Sequence, residues 1–334
     1  QRDSVAAAEA AMKYFILGAL ASGMLLYGMS LLYGLTGSLS LDQISDATLT
    51  HIASSSLPLT LAVVMVIAGV LFKLGAVPFH MWVPDVYEGS ATSTTLYLSA
   101  VPKLAAFAIL LRLLVSGLGG WLEIWQDIIL VAAVLSIGLG NIIAIAQSNI
   151  KRMFAYSTIS HMGFLLLGFS TAEELGLSAA MMYTLIYMFT TLVAFGVILA
   201  LSRPGFECDQ LDDLRGLNRR NPLLALMMLV AMFSLAGIPP TAGFFAKLFV
   251  LEAALEAGFI EIVVVAVLFA VVGAFYYLRI VKLMYFDDSS PHLLSASSYG
   301  YRPVVGWALG VNALLLVLMI PWVGSIFNWL VASL

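Results

Sequence analysis

Charge is what this sequence has least of. Only 10% of its 334 residues are Asp, Glu, Lys or Arg, against 62% hydrophobic residues and a mean hydropathy of +1.02. A soluble domain carries about 25% charged residues. No water-soluble fold of this length hides so much apolar surface, so lipid is the solvent for most of the chain. Cysteine is nearly absent as well: the single Cys208 excludes a disulfide framework and any thiolate or iron–sulfur centre built from this chain. No Gly-x-Gly-x-x-Gly follows a strand pattern and no histidine approaches metal-ligand spacing, so no cofactor is expected in this chain. No nucleic-acid partner is expected either. The opening, QRDSVAAAEAAMKYF, has neither an initiator Met nor a signal-peptide pattern, which makes a fragment of a longer product the expectation.

What is there is apolar sequence in long runs. Stretches long enough to cross about 30 Å of hydrocarbon fall at 6–33, 57–87, 93–115, 127–147, 154–171, 178–201, 222–257, 259–285 and 303–330. As straight helices, 57–87 and 222–257 would each exceed about 45 Å. Both are interrupted, the first at Gly75-Ala76-Val77-Pro78 and the second over Gly237–Gly243. The pattern predicts an all-α polytopic membrane helix bundle with two broken helices. Threading the spans sends Arg2, Lys151, Arg152, Arg203, Arg215, Arg219, Arg220, Arg279, Lys282 and Arg302 to one side. The other side receives Arg112 and otherwise acids. The positive-inside rule makes the first side cytoplasmic and leaves the C-terminus outside.

The remaining basic residues, Lys13, Lys73, Lys103 and Lys247, fall inside spans. A lysine at the bilayer centre costs roughly 2.5–3.5 kcal/mol, and such residues mark ion paths unless they snorkel to the headgroups. Lys103 is too central to snorkel. Lys73 precedes the first break and Lys247 follows the second, so both lie near mid-membrane. Lys13, about 10 Å deep at the helical rise, is left open by depth alone. Unwound backbone at this depth must be buried in protein or line a wet cavity, and paired breaks in oppositely directed spans point to a transport site. The helix dipole favours a cation at Lys73, at the end of a half-helix, and disfavours one at Lys247, near the start of another. The break itself is expected from Pro78, which frees carbonyls for water or the Lys73 ammonium.

His161 lies among the hydroxyls of YSTISHMGFLLLGFS, where a relay role and plain hydrogen bonding both fit. His80 and His51 read as structural. Asp85 and Glu88 read first as capping residues around Pro84 and Gly89, with a proton-uptake role second. The stretch 208–222, CDQLDDLRGLNRRNP, reads first as a solvated connector and second as a docking surface.

Four blocks occur in one order: KLGAVPFHMWVPDVYEG, LSAVPKLAAFAILLRLL, SNIKRMFAYSTISHMGF and SLAGIPPTAGFFAKLFVL. In these the chain resembles the subunit N family of proton-pumping NADH:quinone oxidoreductases (bacterial respiratory complex I), within the wider antiporter-like group. The resemblance implies a fourteen-helix subunit with two inverted five-helix repeats, of which the nine spans here are the sixth to fourteenth helices. Residues 6–115 would be the remainder of the first repeat, 127–285 the second, and 303–330 the C-terminal helix. It implies a proton route through lysines matching Lys13, Lys73, Lys103 and Lys247, with His161 added from the residue reading. The family glutamate that pairs with the lysine matching Lys13 belongs to a helix before this sequence. It further implies a translocase subunit without a redox centre, partnered by other complex I membrane subunits and the lipid bilayer. Such a subunit sits in the bacterial inner membrane with the loop 203–221 cytoplasmic. The rival reading is a subunit of a standalone multisubunit cation/proton antiporter, and a third is a membrane scaffold.

Overall fold

The computed structural model describes residues 4–50, 57–203, 206–288 and 303–334. Helices dominate: α1 (Val5–Thr36), α2 (Leu41–Thr50), α3 (Leu57–Leu74), α4 (Trp82–Gly89), α5 (Thr92–Leu110), α6 (Leu122–Ile145), α7 (Ile150–Ser170), α8 (Glu174–Leu201), α9 (Leu217–Arg220), α10 (Pro222–Ala236), α11 (Ala242–Glu256), α12 (Ile260–Tyr285), α13 (Pro303–Leu318) and α14 (Val323–Val331). Among the described residues the only β pairing is two isolated bridges, Asn149 with Gln210 and Arg203 with Phe206.

Among the described residues six helices are long and apolar enough to cross a membrane alone, and the bent α13–α14 pair makes a seventh if taken as one span. The expected broken spans are α3 with α4 and α10 with α11. The outward faces of the bundle are apolar: on α1, Phe15, Leu20 and Leu26 are exposed, and on α12, Leu268 and Val271. In water this would be a liability; in hydrocarbon it is the solvated face.

The most polar of the long helices, α7, is enclosed by its neighbours. In α7 every residue except Arg152 and Tyr156 is buried. Its hydroxyls turn back on the backbone or onto neighbours: Thr158 Oγ1 donates to Phe154 O at 2.7 Å, and Ser170 Oγ to Leu167 O at 2.8 Å. Enclosure by other helices rather than lipid is what such a sequence requires at membrane depth.

Four features depart from expectation. The run 303–330 is not one straight helix but bends by 47° at the turn Ile320–Trp322, where Pro321 cannot continue an α-helical ladder. α5 ends in a π-helical turn, Leu111–Gly117, and a separate short helix, α2, occupies the connection after α1. The stretch 208–222 is not a solvated connector. Cys208, Leu211, Leu214 and Leu217 are all buried, and its backbone pairs with the start of α7 through Ile150 N–Asp209 O (2.7 Å) and Leu211 N–Ser148 O (2.9 Å). Asp212 and Arg219 are exposed while its leucines, spaced by three, face in.

Candidate functional site

A helix ends with carbonyls that have no intrahelical partner. At the first break, α3 stops at Leu74 because Gly75 adopts the left-handed conformation, φ +77°. The amides of Gly75 and Ala76 turn back to Leu71 O at 2.8 and 3.0 Å. A glycine ending of this kind satisfies the earlier carbonyls. The chain beyond is pinned by Val77 N donating to Ser136 Oγ of α6 (2.9 Å) and by the Trp82 indole donating to Phe72 O (2.9 Å). The last two carbonyls of α3, on Lys73 and Leu74, accept from the ammonium of Lys103, at 3.2 and 2.6 Å. Lys103 is 1% exposed, and its Nζ lies 4.9 Å from the Trp82 ring centroid.

The second break repeats the glycine ending and the paired terminal carbonyls. Gly237, again at φ +77°, ends α10. The amides of Gly237 and Ile238 return to Phe233 O, both at 2.9 Å. The last two carbonyls, on Leu235 and Ala236, accept from Lys247 Nζ at 2.8 and 3.1 Å. The buried Lys247 ammonium lies 5.2 Å from the Phe164 ring. Each site therefore offers a cation the negative end of a helix dipole, two carbonyl oxygens and an aromatic face.

Two expectations are corrected by this geometry. The ammonium at the first break is that of Lys103, not Lys73. A helical side chain leans toward the N-terminus of its own helix, so Lys73 points away from its own terminal carbonyls. It is only partly buried, and its ammonium has no hydrogen bond or ion pair with a described residue. Lys247, likewise, does not meet an unfavourable dipole. It is the sixth residue of α11, and its long stem carries the charge back across the break to the favourable end of α10.

Lys13 stands apart from both. It is 39% exposed and pairs with Glu9 at 2.7 Å, one turn earlier, and with Asp85 Oδ2 at 2.6 Å. The other Asp85 oxygen takes Arg152 of α7 at 2.9 Å, and Arg152 reaches Glu88 at 2.7 Å. Asp85 and Glu88 are thus not capping residues, since no side-chain cap bond forms at the start of α4. They are the acids of an ion cluster that joins α1, α4 and α7.

His161 is drawn into the second site. Nδ1 meets the Tyr183 hydroxyl at 2.6 Å and Nε2 the Tyr277 hydroxyl at 3.0 Å. A cavity of about 10 Å³ lies between His161, Tyr183, Tyr187, Thr190, Ser234 and Lys247, room for one water molecule. From Tyr277 the polar chain runs to Tyr276 (3.3 Å), Asn141 (2.9 Å) and Ser160 (2.8 Å). Tyr187 donates to Thr158 at 2.8 Å. Sequence reasoning missed these tyrosines and Asn141. The signal was present: Tyr183 and Tyr187 are one helical turn apart on one face, and Asn141 is a lone amide in the otherwise apolar last turns of α6. His80 has a buried Nδ1 without a partner, and His51 lies outside the described residues. Among the described residues no group of three or more His, Cys, Asp or Glu could hold a metal ion.

Comparison with known proteins agrees on one group. The NADH:quinone oxidoreductase/Mrp antiporter transmembrane family matches residues 1–273. An NADH-quinone oxidoreductase subunit N from Thiobacillus denitrificans is 60% identical over 294 residues, which is 87% of this chain and 61% of that protein. A chain of respiratory complex I from Thermus thermophilus superposes with a TM-score of 0.80 at 34% identity, covering 96% of this chain and 68% of that one. A chain of the Mrp complex from a Dietzia species gives 0.83 at 26% identity, covering 99% and 67%. The chain spans about three fifths of the length of the first of these relatives.

Proposed function

Because this chain belongs to the NADH:quinone oxidoreductase/Mrp antiporter transmembrane family, we propose that it is a proton-translocating membrane subunit of an NADH:quinone oxidoreductase. Protons would move by loading and unloading Lys103 and Lys247, with Lys73, Lys13 and His161 along the same route. Electron transfer would take place in other subunits of the complex. The observation that carries this reading is the repeated one: two buried ammonium groups, each resting on the last two carbonyls of a broken helix. Carbonyls and an aromatic face favour the charged lysine, while the surrounding apolar helices penalise it. Such opposition lets a modest change in a nearby charge decide whether the proton stays. The water-sized cavity beside Lys247 and the His161–tyrosine chain supply donors and acceptors along which that proton can leave.

The matched endings also support reading 6–115 and 127–285 as parts of two inverted repeats. The protein would sit in the bacterial inner membrane, with Arg203–Asn221 cytoplasmic and the C-terminus outside, next to other antiporter-like subunits. A cysteine introduced at Asp212, whose side chain is 71% exposed, would be labelled only from the cytoplasm. One introduced at Leu39, 85% exposed, would be labelled only from outside. The reverse pattern would overturn the topology.

The standalone cation/proton antiporter is disfavoured by the 60% identity to a subunit N against 26% to the Mrp chain. The deciding experiment is NADH-driven proton uptake in membrane vesicles carrying the assembled complex. Lys103→Ala should abolish this chain's share of pumping with the complex still assembled. Wild-type pumping refutes the relay, and sodium-dependent transport without NADH oxidation would favour the antiporter.

A further inference from the structure

The segment between α8 and α10 does more than connect them. Leaving α8, it places Glu207 against the start of α5. The Glu207 carboxylate accepts from the Thr92 amide at 3.2 Å and from the Thr92 hydroxyl at 2.7 Å, on the first residue of the helix that carries Lys103. The same oxygen takes Lys151 Nζ at 3.1 Å, and that ammonium also donates to Ser90 O at 3.1 Å. Lys151 is 2% exposed. Among the described residues Glu207 is its one ion-pair partner, and a buried charge that loses its counter-ion is strongly destabilising, far more than a surface pair. Burial would raise the Glu207 carboxyl, but its bonds to Thr92 and Lys151 outweigh that and hold it below its ordinary value. It therefore stays charged.

Beyond Glu207 the segment buries Cys208, Leu211, Leu214 and Leu217, bonds the start of α7, and fixes the end of α12 through Gly216 N–Leu283 O at 2.9 Å. It then runs straight into α10, whose first turn is capped by Asn221 accepting from Leu224 N at 3.1 Å. The consequence is geometric. The helix that supplies the ammonium at the first break and the half-helix that supplies the carbonyls at the second are rooted in one segment. α5 is held there by Glu207, and α10 by the chain itself. From this root Lys103 lies eleven residues along and Leu235 thirteen, about 16 and 20 Å at the helical rise.

We propose that residues 206–221 form a strap that holds the two lysine sites in register, with Glu207 as a positioning residue that latches α5 to it. A shift of α10 at the second break would then be passed to Lys103 through this latch. The proposal rests on the lysine relay for its functional consequence, but its structural part can be read separately.

Cys208 provides the readout, since it is buried in the strap one residue from the latch. Alkylation of Cys208 by a small thiol reagent, followed on its peptide by mass spectrometry, reports docking in native membranes. Protons pumped per NADH oxidised reports coupling in the same assembled complex. Glu207→Gln should raise the alkylation rate at least tenfold and lower the pumping ratio at least twofold. Adding Lys151→Met, which removes the uncompensated buried charge, should restore protection of Cys208 and much of the ratio. If Glu207→Gln fails to assemble, the double variant decides, because its Gln carbonyl can still accept from Thr92: assembly with a protected Cys208 supports the latch, and an exposed Cys208 or a second failure overturns it. Wild-type protection in Glu207→Gln overturns it too. So does an exposed Cys208 with an unchanged pumping ratio, which would make the strap mere scaffold. Failure of the relay itself appears elsewhere, as normal pumping by Lys103→Ala, and leaves the alkylation result standing.

Discussion

The two breaks end their helices in the same way and differ in where the cation comes from. At the first, Lys103 reaches in from a neighbouring helix. At the second, Lys247 reaches back from the far half of the same span. The local chemistry is identical, with two terminal carbonyls, a left-handed glycine and an aromatic face, so the requirement lies in the environment of the ammonium. How the chain delivers it is free to vary. The surroundings differ as well. Beside Lys247 stand His161, two tyrosines and a water-sized cavity, with Tyr277 behind His161; beside Lys103 the partners are backbone carbonyls and Trp82. The first site is suited to holding a charge, and the second to passing one on.

The largest effect should come from removing either ammonium. If the sites are equivalent stations, Lys103→Ala and Lys247→Ala should each cut proton transport about 10²-fold, as loss of a positioned proton-transfer group does. The double variant should be no worse than either. Transport that survives one replacement but not the other, measured in vesicles with matched complex content, would end the equivalence.

Next come the glycines. Alanine at either position meets the left-handed penalty of about 1–2 kcal/mol. A Cβ on Gly75 would also come within 2.5 Å of Val83 Cγ2, a β-branched neighbour with no room to turn. A Cβ on Gly237 meets Lys247 Cδ at 2.8 Å, on a stem that can swing aside. Gly75→Ala should therefore cost roughly 2–5 kcal/mol once overpacking is added. Gly237→Ala should cost less stability but displace the ammonium and impair transport. Thermal unfolding in detergent and vesicle pumping separate the two; the reverse order of stabilities would contradict the packing argument.

A smaller effect is expected at the polar chain. Tyr277→Phe removes the hydroxyl that meets His161 Nε2, Ser157 and Tyr276, leaving buried groups short of a partner at about 1–3 kcal/mol. Transport should fall roughly tenfold, in proportion to that cost, with assembly retained. Unchanged transport would remove His161 from the route and reduce the second site to the simplicity of the first.

The unevenness of what could be read in advance has a physical cause. A span needs about 20 apolar residues, so the nine runs stand out from composition alone, and so do four lysines that lipid would exclude. Glycine and proline mark the two breaks for the same local reason. What decides each ammonium's surroundings is not local. Lys103 and the Leu74 carbonyl lie 29 residues apart, and Lys247 and Leu235 lie 12 apart. Nothing in periodicity says which lysine will cap which helix. The tyrosines around His161 were hidden because an aromatic residue in an apolar run reads as packing. The strap was hidden because Asp and Arg at every few positions read as solvated, although Leu211, Leu214 and Leu217 at a spacing of three marked a buried face.

The smallest effect should belong to Pro78, the residue that the sequence singles out as the breaker. Its ring would clash with the carbonyl of Leu74 in a continuous helix, and its removal relieves about 3 kcal/mol of opposition to healing. Yet α3 already ends at Leu74, before Pro78 is reached, and Pro78 itself is exposed. For α3 to run on, Gly75 would have to leave its left-handed conformation. Lys103 would lose its bonds to Lys73 O and Leu74 O, and Val77 N would leave Ser136. The two bonds from a charged donor contribute about 1.5–3 kcal/mol each and the neutral one about 1. Together they exceed what alanine gains, so the break should persist in Pro78→Ala, with pumping close to wild type. The first break would then be held by the Lys103 ammonium, as the second is by Lys247, and proline would only accompany it. An assembled Pro78→Ala complex that no longer pumps would show the opposite: the proline makes the first break, and the likeness between the two sites ends at their glycines.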